Sequence, residues 1–386
     1  MKTTLKRGAL GLALLAATAI GTSPAWAFGE AGPLELAEFG AFYVNTTPIM
    51  NEDGTVSVTN QMFVEYMIPE NQVYPYPVVL VPGGGGHAVD WMQTVDGRDG
   101  WVQYLVNAGF AVYWVDRPGA GRSAANTTYL DRNGNPGALA NPFGTGLITR
   151  LAFSEDWPNA PMIYDADGNP DRMAWGEANK ANPTIMAWAA GSPTTPNASN
   201  DVQIQAEAAL LEMIGPAVIF THSAGGTTSG AAGAMAAANG NLVGILNFES
   251  GGANPYGNSM LNNSEWSNGA PVEANRANQT VEGADCSLQT GDTPSQNVTM
   301  AGTRQVFLYS EFGTSAPNSL PTAVCAATQA RQAGLDAIAV YMPDNGYEGT
   351  GHFAMSELSS GEIATNVVIP ALAWIENGGE TDLVTH

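Results

Sequence analysis

The stretch AVIFTHSAGG at residues 217–226 joins a run of apolar, mostly β-branched or aromatic residues to a run of glycine and alanine. Its first half has the composition of a buried strand, and the small residues at 224–238 have that of a helix. Ser223 lies between them, at a sharp turn where only small neighbours let the backbone pass. The stretch therefore predicts a strand, a tight turn that presents Ser223, and a helix. A serine that merely caps an ordinary helix would fit the same residues.

The alternation of strand-like and helix-like runs extends on both sides of this stretch. Further apolar strands are predicted at residues 76–82, 110–116, 242–248, 304–310 and 337–342, and helices at 98–109, 201–213 and 363–374. Strands that alternate with helices are typical of a mostly parallel sheet covered by helices on both faces, so the predicted fold class is α/β. Alternating residues at 39–45 and 56–67 predict antiparallel strands at the start of the sheet.

Two long segments interrupt this pattern, at residues 123–200 and 251–302. Both are rich in Asn, Gly, Pro and Ser and contain Trp and Tyr residues. Loops of this length inside a compact domain are usually lids or binding loops. We therefore expect two lid-like insertions in a single domain.

Residues 1–27 have the form of a secretory signal peptide. Three cations within the first seven residues precede an apolar run at 9–20, and AWA at 25–27 offers a cleavage site between small residues. The apolar run is too short to cross a bilayer, and no later stretch approaches the roughly 20 apolar residues that a membrane helix needs. We therefore expect residues 28–386 to be secreted or periplasmic, without a membrane span.

The net charge of the chain narrows the range of partners. The formal charge is −23, and the leader contributes three cations and no acid, so the remainder carries about −26. Such a protein repels the phosphates of nucleic acids and anionic membrane surfaces. Neither is expected as a partner.

Two cysteines, Cys286 and Cys325, lie in the exported part of the chain. An oxidising compartment permits a disulfide bond, and we predict that the two residues pair; two free buried thiols are the alternative. Because two thiols without a neighbouring histidine make a poor zinc site, no metal is expected at this pair.

Two glycine-rich turns add to the case for chemistry at Ser223. VPGGGG at 81–86 ends an apolar strand, and glycines there would let a backbone amide approach a bound substrate closely. DRPGAGRS at 116–123 follows the next strand, and a DxxGxGxS turn at this point is a frequent mark of α/β hydrolases. Neither turn has the GKS or GKT of a phosphate-binding loop. The amides of Gly84 and Ala224 are the predicted oxyanion donors.

A serine nucleophile needs a base, and the four histidines leave one strong candidate. His222 adjoins the serine on a strand whose alternation points its side chain away, His87 lies beyond the glycine run, and His386 ends the chain. His352 remains, in the loop GYEGTGHFAM at 346–355 after the last strand. The α/β-hydrolase fold places its catalytic histidine in that loop, although a surface histidine without function would also fit.

Two glutamates compete for the role of the acid that orients the base. Glu249 follows the strand after the small-residue helix, and Glu311 follows the next strand. Both could reach the same imidazole. Position alone favours Glu311, because many hydrolases of this fold carry the acid after that later strand.

These motifs together resemble those of secreted bacterial serine esterases of the Alcaligenes esterase type, over about residues 76–376. The residues that carry the resemblance are DGRDGWVQYLVNAGFAVYWVDRPGAGRS (96–123), THSAGG (221–226), FESGG (248–252), Cys325 in the helix after LYSEFG, and GTGHFAM (349–355). The resemblance implies an α/β-hydrolase domain over residues 28–386, and it implies Glu249 as the acid.

Three positions in two motifs depart from the usual pattern. Thr221 stands where the GxSxG motif has its first glycine. The esterase family carries adjacent cysteines in its oxyanion loop, where this chain has Gly84 and Gly85, so any role of that cysteine pair is absent.

The sequence thus predicts a carboxylic ester hydrolase that works through an acyl-enzyme, without cofactor or metal. Ser223 would attack a small-molecule or polymeric ester, His352 would take and return the proton, and Glu249 would orient His352. An amidase, lactonase or polyester hydrolase could use the same triad. A non-catalytic binding protein could share the fold, since a fold does not fix a function.

Overall fold

The structure is a computed structural model that describes residues 31–84, 87–94, 97–123, 163–164, 170–171, 198–251, 256–312 and 319–386. The predicted signal peptide and most of the first predicted insertion lie outside these residues. Both stay predictions. Within the described residues, no helix combines the length and the apolar character that crossing a membrane would require.

The described chain forms strands and helices in the alternating order that the sequence predicts. The strands are β1 (Leu36–Val44), β2 (Thr47–Met50), β3 (Val56–Thr59), β4 (Met62–Pro69), β5 (Val78–Val81), β6 (Val112–Asp116), β7 (Ile163–Tyr164), β8 (Pro170–Asp171), β9 (Ala217–His222), β10 (Leu242–Phe248), β11 (Arg276–Val281), β12 (Ala284–Gln289), β13 (Arg304–Tyr309) and β14 (Asp336–Tyr341). The helices are α1 (Val89–Met92), α2 (Trp101–Asn107), α3 (Asn200–Ile214), α4 (Gly226–Ala238), α5 (Asn258–Asn262), α6 (Leu320–Gln332), α7 (Ser360–Ile363) and α8 (Ile369–Asn377).

The main sheet has eight strands in the order β1-β4-β6-β5-β9-β10-β13-β14. The pairs β1–β4 and β4–β6 are antiparallel, and every later pair from β6–β5 to β13–β14 is parallel. The predicted α/β class with a mostly parallel sheet is confirmed. Since the carboxyl ends of parallel strands meet at one edge, the residues that follow β5, β9, β10 and β13 gather there.

The strand predicted at residues 56–67 is wrong as a single element. It breaks at Asn60, whose φ of 63° lies in the left-handed region. That conformation cannot continue an extended strand. The first half instead pairs with β2 in a separate hairpin, and only β4 joins the sheet.

Both faces of the sheet are covered. One face packs against α2 and α8 through a cluster that includes Trp101 and Phe248, and the other packs against α3, α4 and α6 through a cluster that includes Leu210 and Phe307. Strand β5, with the sequence VVLV, is accordingly buried at all four positions. This matches the apolar runs expected for parallel strands that are covered on both sides.

The second predicted insertion contains regular structure. Strands β11 and β12 form an antiparallel hairpin, and Cys286 of β12 is bonded to Cys325 of α6. The cysteines sit in a small apolar cluster with Leu288 and Val324. The predicted disulfide is therefore present, and it ties the hairpin to a helix of the main fold.

Replacing Cys286 and Cys325 together by serine is expected to lower the free energy of unfolding by about 2–4 kcal/mol, because the bond restricts the unfolded chain across a separation of 39 residues. Urea unfolding of the parent and the double variant measures this difference. The denatured, unreduced parent should show no titratable thiol. Detection of two thiols under those conditions would contradict the bond.

Candidate active site

Ser223 occupies a strained turn at the carboxyl end of β9. Its φ of 51° is a left-handed value that non-glycine residues seldom adopt. The Gly251 amide donates to the Ser223 carbonyl at 2.8 Å and helps to hold the turn. A Cβ atom on Gly225 would lie 2.8 Å from both Pro82 O and Thr221 Oγ1, so this position must be glycine. The turn has the geometry of a nucleophile elbow.

His352 lies buried beside Glu249. The Nδ1 atom of the imidazole is 3.4 Å from Glu249 Oε2, and the two side chains are 0% and 1% exposed. The Nε2 atom of His352 has no hydrogen-bond partner among the described residues. A carboxylate that faces Nδ1 favours the tautomer with its proton on that nitrogen, which leaves Nε2 free to accept another.

The carboxylate of Glu249 is itself held in place. Its Oε1 atom accepts hydrogen bonds from the Ser310 amide at 2.7 Å and from the Ser310 hydroxyl at 2.6 Å. Glu249 directly follows β10 and, like Ser223, has a positive φ, of 48°. The Oε1 atom is therefore fixed by Ser310, which directly follows β13, and the Oε2 atom faces the imidazole of His352.

Glu311 has a different partner. Its Oε2 atom accepts a hydrogen bond from the Gly349 amide at 2.7 Å, three residues before His352. The Phe312 amide also donates to the carbonyl of Thr350 at 2.9 Å. Glu311 and its neighbour thus contact the loop that carries His352, while Glu249 is the carboxylate found beside the ring.

The glycine loop after β5 lies directly against the serine turn. A Cβ atom on Gly83 would be 2.9 Å from Ser223 Cβ, and one on Gly84 would be 3.2 Å from Ala224 Cβ. The sequence predicted the Gly84 amide as an oxyanion donor, whereas the closest approach to the serine turn is made by Gly83. Ala224 belongs to the 3₁₀ turn that leads into α4, where amide dipoles favour negative charge.

The DRPGAGRS turn is built around Asp116. The Oδ1 atom of Asp116 accepts from the Ala88 amide at 2.7 Å, and Oδ2 accepts from the Arg122 amide at 2.9 Å. A Cβ atom on Gly121 would meet the Asp116 carboxyl at 2.6 Å. The motif therefore anchors the segment that follows the glycine loop.

His222 is not remote from the site, so the inference that its side chain points away is wrong. Its ring centroid is 4.6 Å from that of His352 and 5.0 Å from that of Phe248. Its Nε2 atom is 2.9 Å from the His352 carbonyl, and since a carbonyl only accepts, Nε2–H donates. The loop that carries His352 packs over the same face of β9, together with Phe353.

Burial lowers the pKa of His222 well below its usual value of 6.5, and the neighbouring His352 lowers it further, while the hydrogen bond to the His352 carbonyl acts in the opposite direction. His222 is therefore neutral in the folded protein. A neutral ring here adds no positive charge beside His352.

This lowered pKa predicts how stability depends on pH. Below about pH 6.5 the unfolded chain protonates residue 222 and the folded protein does not, so the free energy of unfolding falls as pH falls, by up to about 1.4 kcal/mol per pH unit. The variant His222→Gln should lack this one-proton contribution. Urea unfolding from about pH 7.5 to about pH 5.5 measures both slopes. Parallel slopes for parent and variant would contradict the neutral assignment.

Among the described residues, no group of three or more His, Cys, Asp or Glu side chains is arranged to hold a metal ion. Every side chain of the site just described comes from a loop or strand end at one edge of the sheet.

The eight-stranded sheet, the turn after β9 and the flanking helices are those of the α/β-hydrolase fold. The chain is similar to a bacterial esterase solved at atomic resolution, with a TM-score of 0.59 and 18% identity over 90% of this chain and 98% of that one. It is also 27% identical over 342 residues to a probable secreted lipase, phiG, of a fungal species (strain ATCC 74256), a match that spans 82% of this chain and 85% of the lipase. No protein-family profile matches the chain.

Proposed function

We propose that the protein is a serine hydrolase of carboxylic esters. The observation that carries the proposal is the buried Glu249–His352 pair, with an unpartnered Nε2 atom, in the same site as a strained serine turn. The similarity to a protein named as a lipase supports ester hydrolysis as the reaction.

In the proposed mechanism, Ser223 Oγ attacks the ester carbonyl carbon while His352 Nε2 takes the hydroxyl proton. The carbonyl π electrons move to oxygen, and the amides of Gly84 and Ala224 stabilise the resulting oxyanion. The oxyanion collapses, the alcohol leaves with the proton from His352, and an acyl-serine remains. Water then attacks the acyl-serine by the same steps and releases the acid. Glu249 stabilises the imidazolium of His352 during both acylation and deacylation.

We also propose that the protein acts outside the cytoplasm. A disulfide bond joins β12 to α6, and disulfides persist mainly in oxidising compartments. The predicted leader at residues 1–27 and the relative named as a secreted lipase point the same way. Mass spectrometry of the chain recovered from a secreting host would test this, since cleavage after Ala27 should remove the first 27 residues.

A fluorophosphonate probe tests the proposed function directly, because it reacts only with an activated serine. Stoichiometric labelling of the native protein is expected, with loss of labelling after heat denaturation as the control. A series of p-nitrophenyl esters from acetyl to dodecanoyl, with the matching anilides, then identifies the acyl group and the bond that is cleaved. A native protein that neither takes the label nor hydrolyses any of these compounds would be a binding protein on this fold.

A further inference from the structure

We propose that Arg117 positions the oxyanion loop, because it holds the carbonyl of Gly83 and so turns the amide of Gly84 toward the reacting centre. The inference rests on the proposed function, since a developing oxyanion is needed for that amide to stabilise. It assigns a role to an arginine that the sequence patterns did not single out.

The contact between Arg117 and the Gly83 carbonyl is buried in the protein. Arg117 follows β6 directly and is 3% exposed, and its Nη1 atom donates to the Gly83 carbonyl at 3.3 Å. Burying a guanidinium is costly unless it is paired and hydrogen-bonded. The burial of this cation beside the glycine loop is therefore costly, and a role in the site would explain why it is kept.

The geometry of the peptide group supplies that reason. The carbonyl of Gly83 and the amide of Gly84 belong to one peptide, and no cis peptide bond occurs among the described residues. In a trans peptide the C=O and N–H bonds point in opposite directions. When Arg117 holds the carbonyl on its own side, the Gly84 amide must point to the other.

The glycines make such a constraint necessary. Gly83 and Gly84 carry no side chains and can reach many backbone conformations, so their peptide plane is free to rotate unless a contact fixes it. Close packing on Ser223 strongly favours glycine at residue 83, where a Cβ atom would lie 2.9 Å from Ser223 Cβ, and leaves little room at residue 84, where it would lie 3.2 Å from Ala224 Cβ. The loop thus needs an external contact to fix its orientation, and Arg117 provides one.

A buried acidic side chain, that of Glu207, attracts the arginine, although burial raises the pKa of Glu207 itself. Glu207 of α3 attracts Arg117, which raises the pKa of the guanidinium against the larger lowering caused by burial. The Glu207 carboxylate in turn accepts hydrogen bonds at 2.7 Å from Thr228 Oγ1 and from Ser229 Oγ, both on α4. Glu207 thus attracts Arg117 within the protein interior, and the orientation of the Glu207 side chain is fixed by the helix that follows Ser223.

The test compares Arg117→Met and Arg117→Lys with the parent, using kcat, KM and the inhibition constant of an aryl trifluoromethyl ketone. This ketone adds to the serine and forms an oxyanion, so its affinity reports on the donors. In Arg117→Met, kcat should fall by about 10- to 100-fold, the inhibition constant should rise by a similar factor, and KM should change by less than about 3-fold. Arg117→Lys keeps a cationic donor and should recover most of both losses.

Arg304→Met is the matched control. Arg304 also donates to a backbone carbonyl, that of Ile375 at 2.9 Å, but it begins β13 and so lies at the opposite edge of the sheet. The kcat and the inhibition constant of Arg304→Met should equal those of the parent. If Arg117→Met does not fold, Arg117→Gln replaces it, with the same expected split between kcat and KM.

Two outcomes would overturn the inference. One is a folded Arg117→Met variant whose kcat and inhibition constant stay within about 3-fold of the parent values. The other is a rise in KM with the inhibition constant unchanged, which would place Arg117 in substrate binding. A parent that does not react with the fluorophosphonate would instead refute the proposed function, so the two failures are distinguishable.

Discussion

Ser223→Ala is expected to lower kcat for ester hydrolysis by about 10³-fold or more, and His352→Ala should do the same, because members of a triad act as a unit. Alanine at residue 223 removes the attacking oxygen. Alanine at residue 352 removes the base. Initial rates with the best p-nitrophenyl ester, together with fluorophosphonate labelling, measure both effects.

Ser57→Ala is a suitable control for the serine variant. Ser57 belongs to β3, in the small hairpin that lies outside the main sheet, so its hydroxyl should not matter for the reaction. Thermal unfolding verifies that each variant is folded. Retention of most of the parent activity by a folded Ser223→Ala or His352→Ala variant would show that the catalytic assignment is wrong.

Glu249→Gln should lower kcat by about 10²- to 10⁴-fold with little change in KM. Glutamine keeps the shape of the side chain but lacks the negative charge that stabilises the imidazolium of His352. Glu311→Gln should lower kcat by less than about 10-fold, because Glu311 contacts the Gly349 amide and not the ring. Steady-state kinetics on the two variants measure the contrast.

The two glutamate variants are controls for each other, since both remove one charge near the same loop. Equal losses in the two, or a larger loss in Glu311→Gln, would contradict the role proposed for Glu249. The esterase proposal would survive that result, because it depends on Ser223, His352 and the glycine loop.

The fold could be predicted from the sequence because buried parallel strands leave a strong pattern of apolar runs between helices. The failure at residues 56–67 has a local cause. Asn60 turns the chain through a positive φ, and asparagine tolerates that conformation without requiring it. A single residue of this kind gives no clear signal of a break.

The site was only partly predictable. The turn that presents Ser223 could be predicted because strand, turn and helix are contiguous in sequence. Position alone favoured Glu311 over Glu249, but it is a weak guide, because the two residues follow adjacent parallel strands, about 4.8 Å apart, and both could reach one loop. Their partners, Ser310 and Gly349, become visible only in three dimensions, and the family resemblance alone pointed to Glu249.

The positions of His222 and Arg117 illustrate a second limit. Strand alternation predicted that the His222 side chain points away from the site, because alternation takes no account of the loop that packs on that face of β9. Arginine is usually a surface residue, so nothing in DRPGAGRS marked Arg117 as buried. Both side chains depend on contacts between segments that are distant in sequence.

Ser223 and Glu249 are both non-glycine residues in the left-handed region, each at the end of one of two adjacent strands. Such a conformation costs about 1–3 kcal/mol for each residue, and glycine would largely relieve it. Selection for stability alone would therefore favour glycine at both positions. The chain keeps a hydroxyl and a carboxylate there instead. At these two positions, selection for stability and selection for the proposed ester hydrolysis therefore favour different residues.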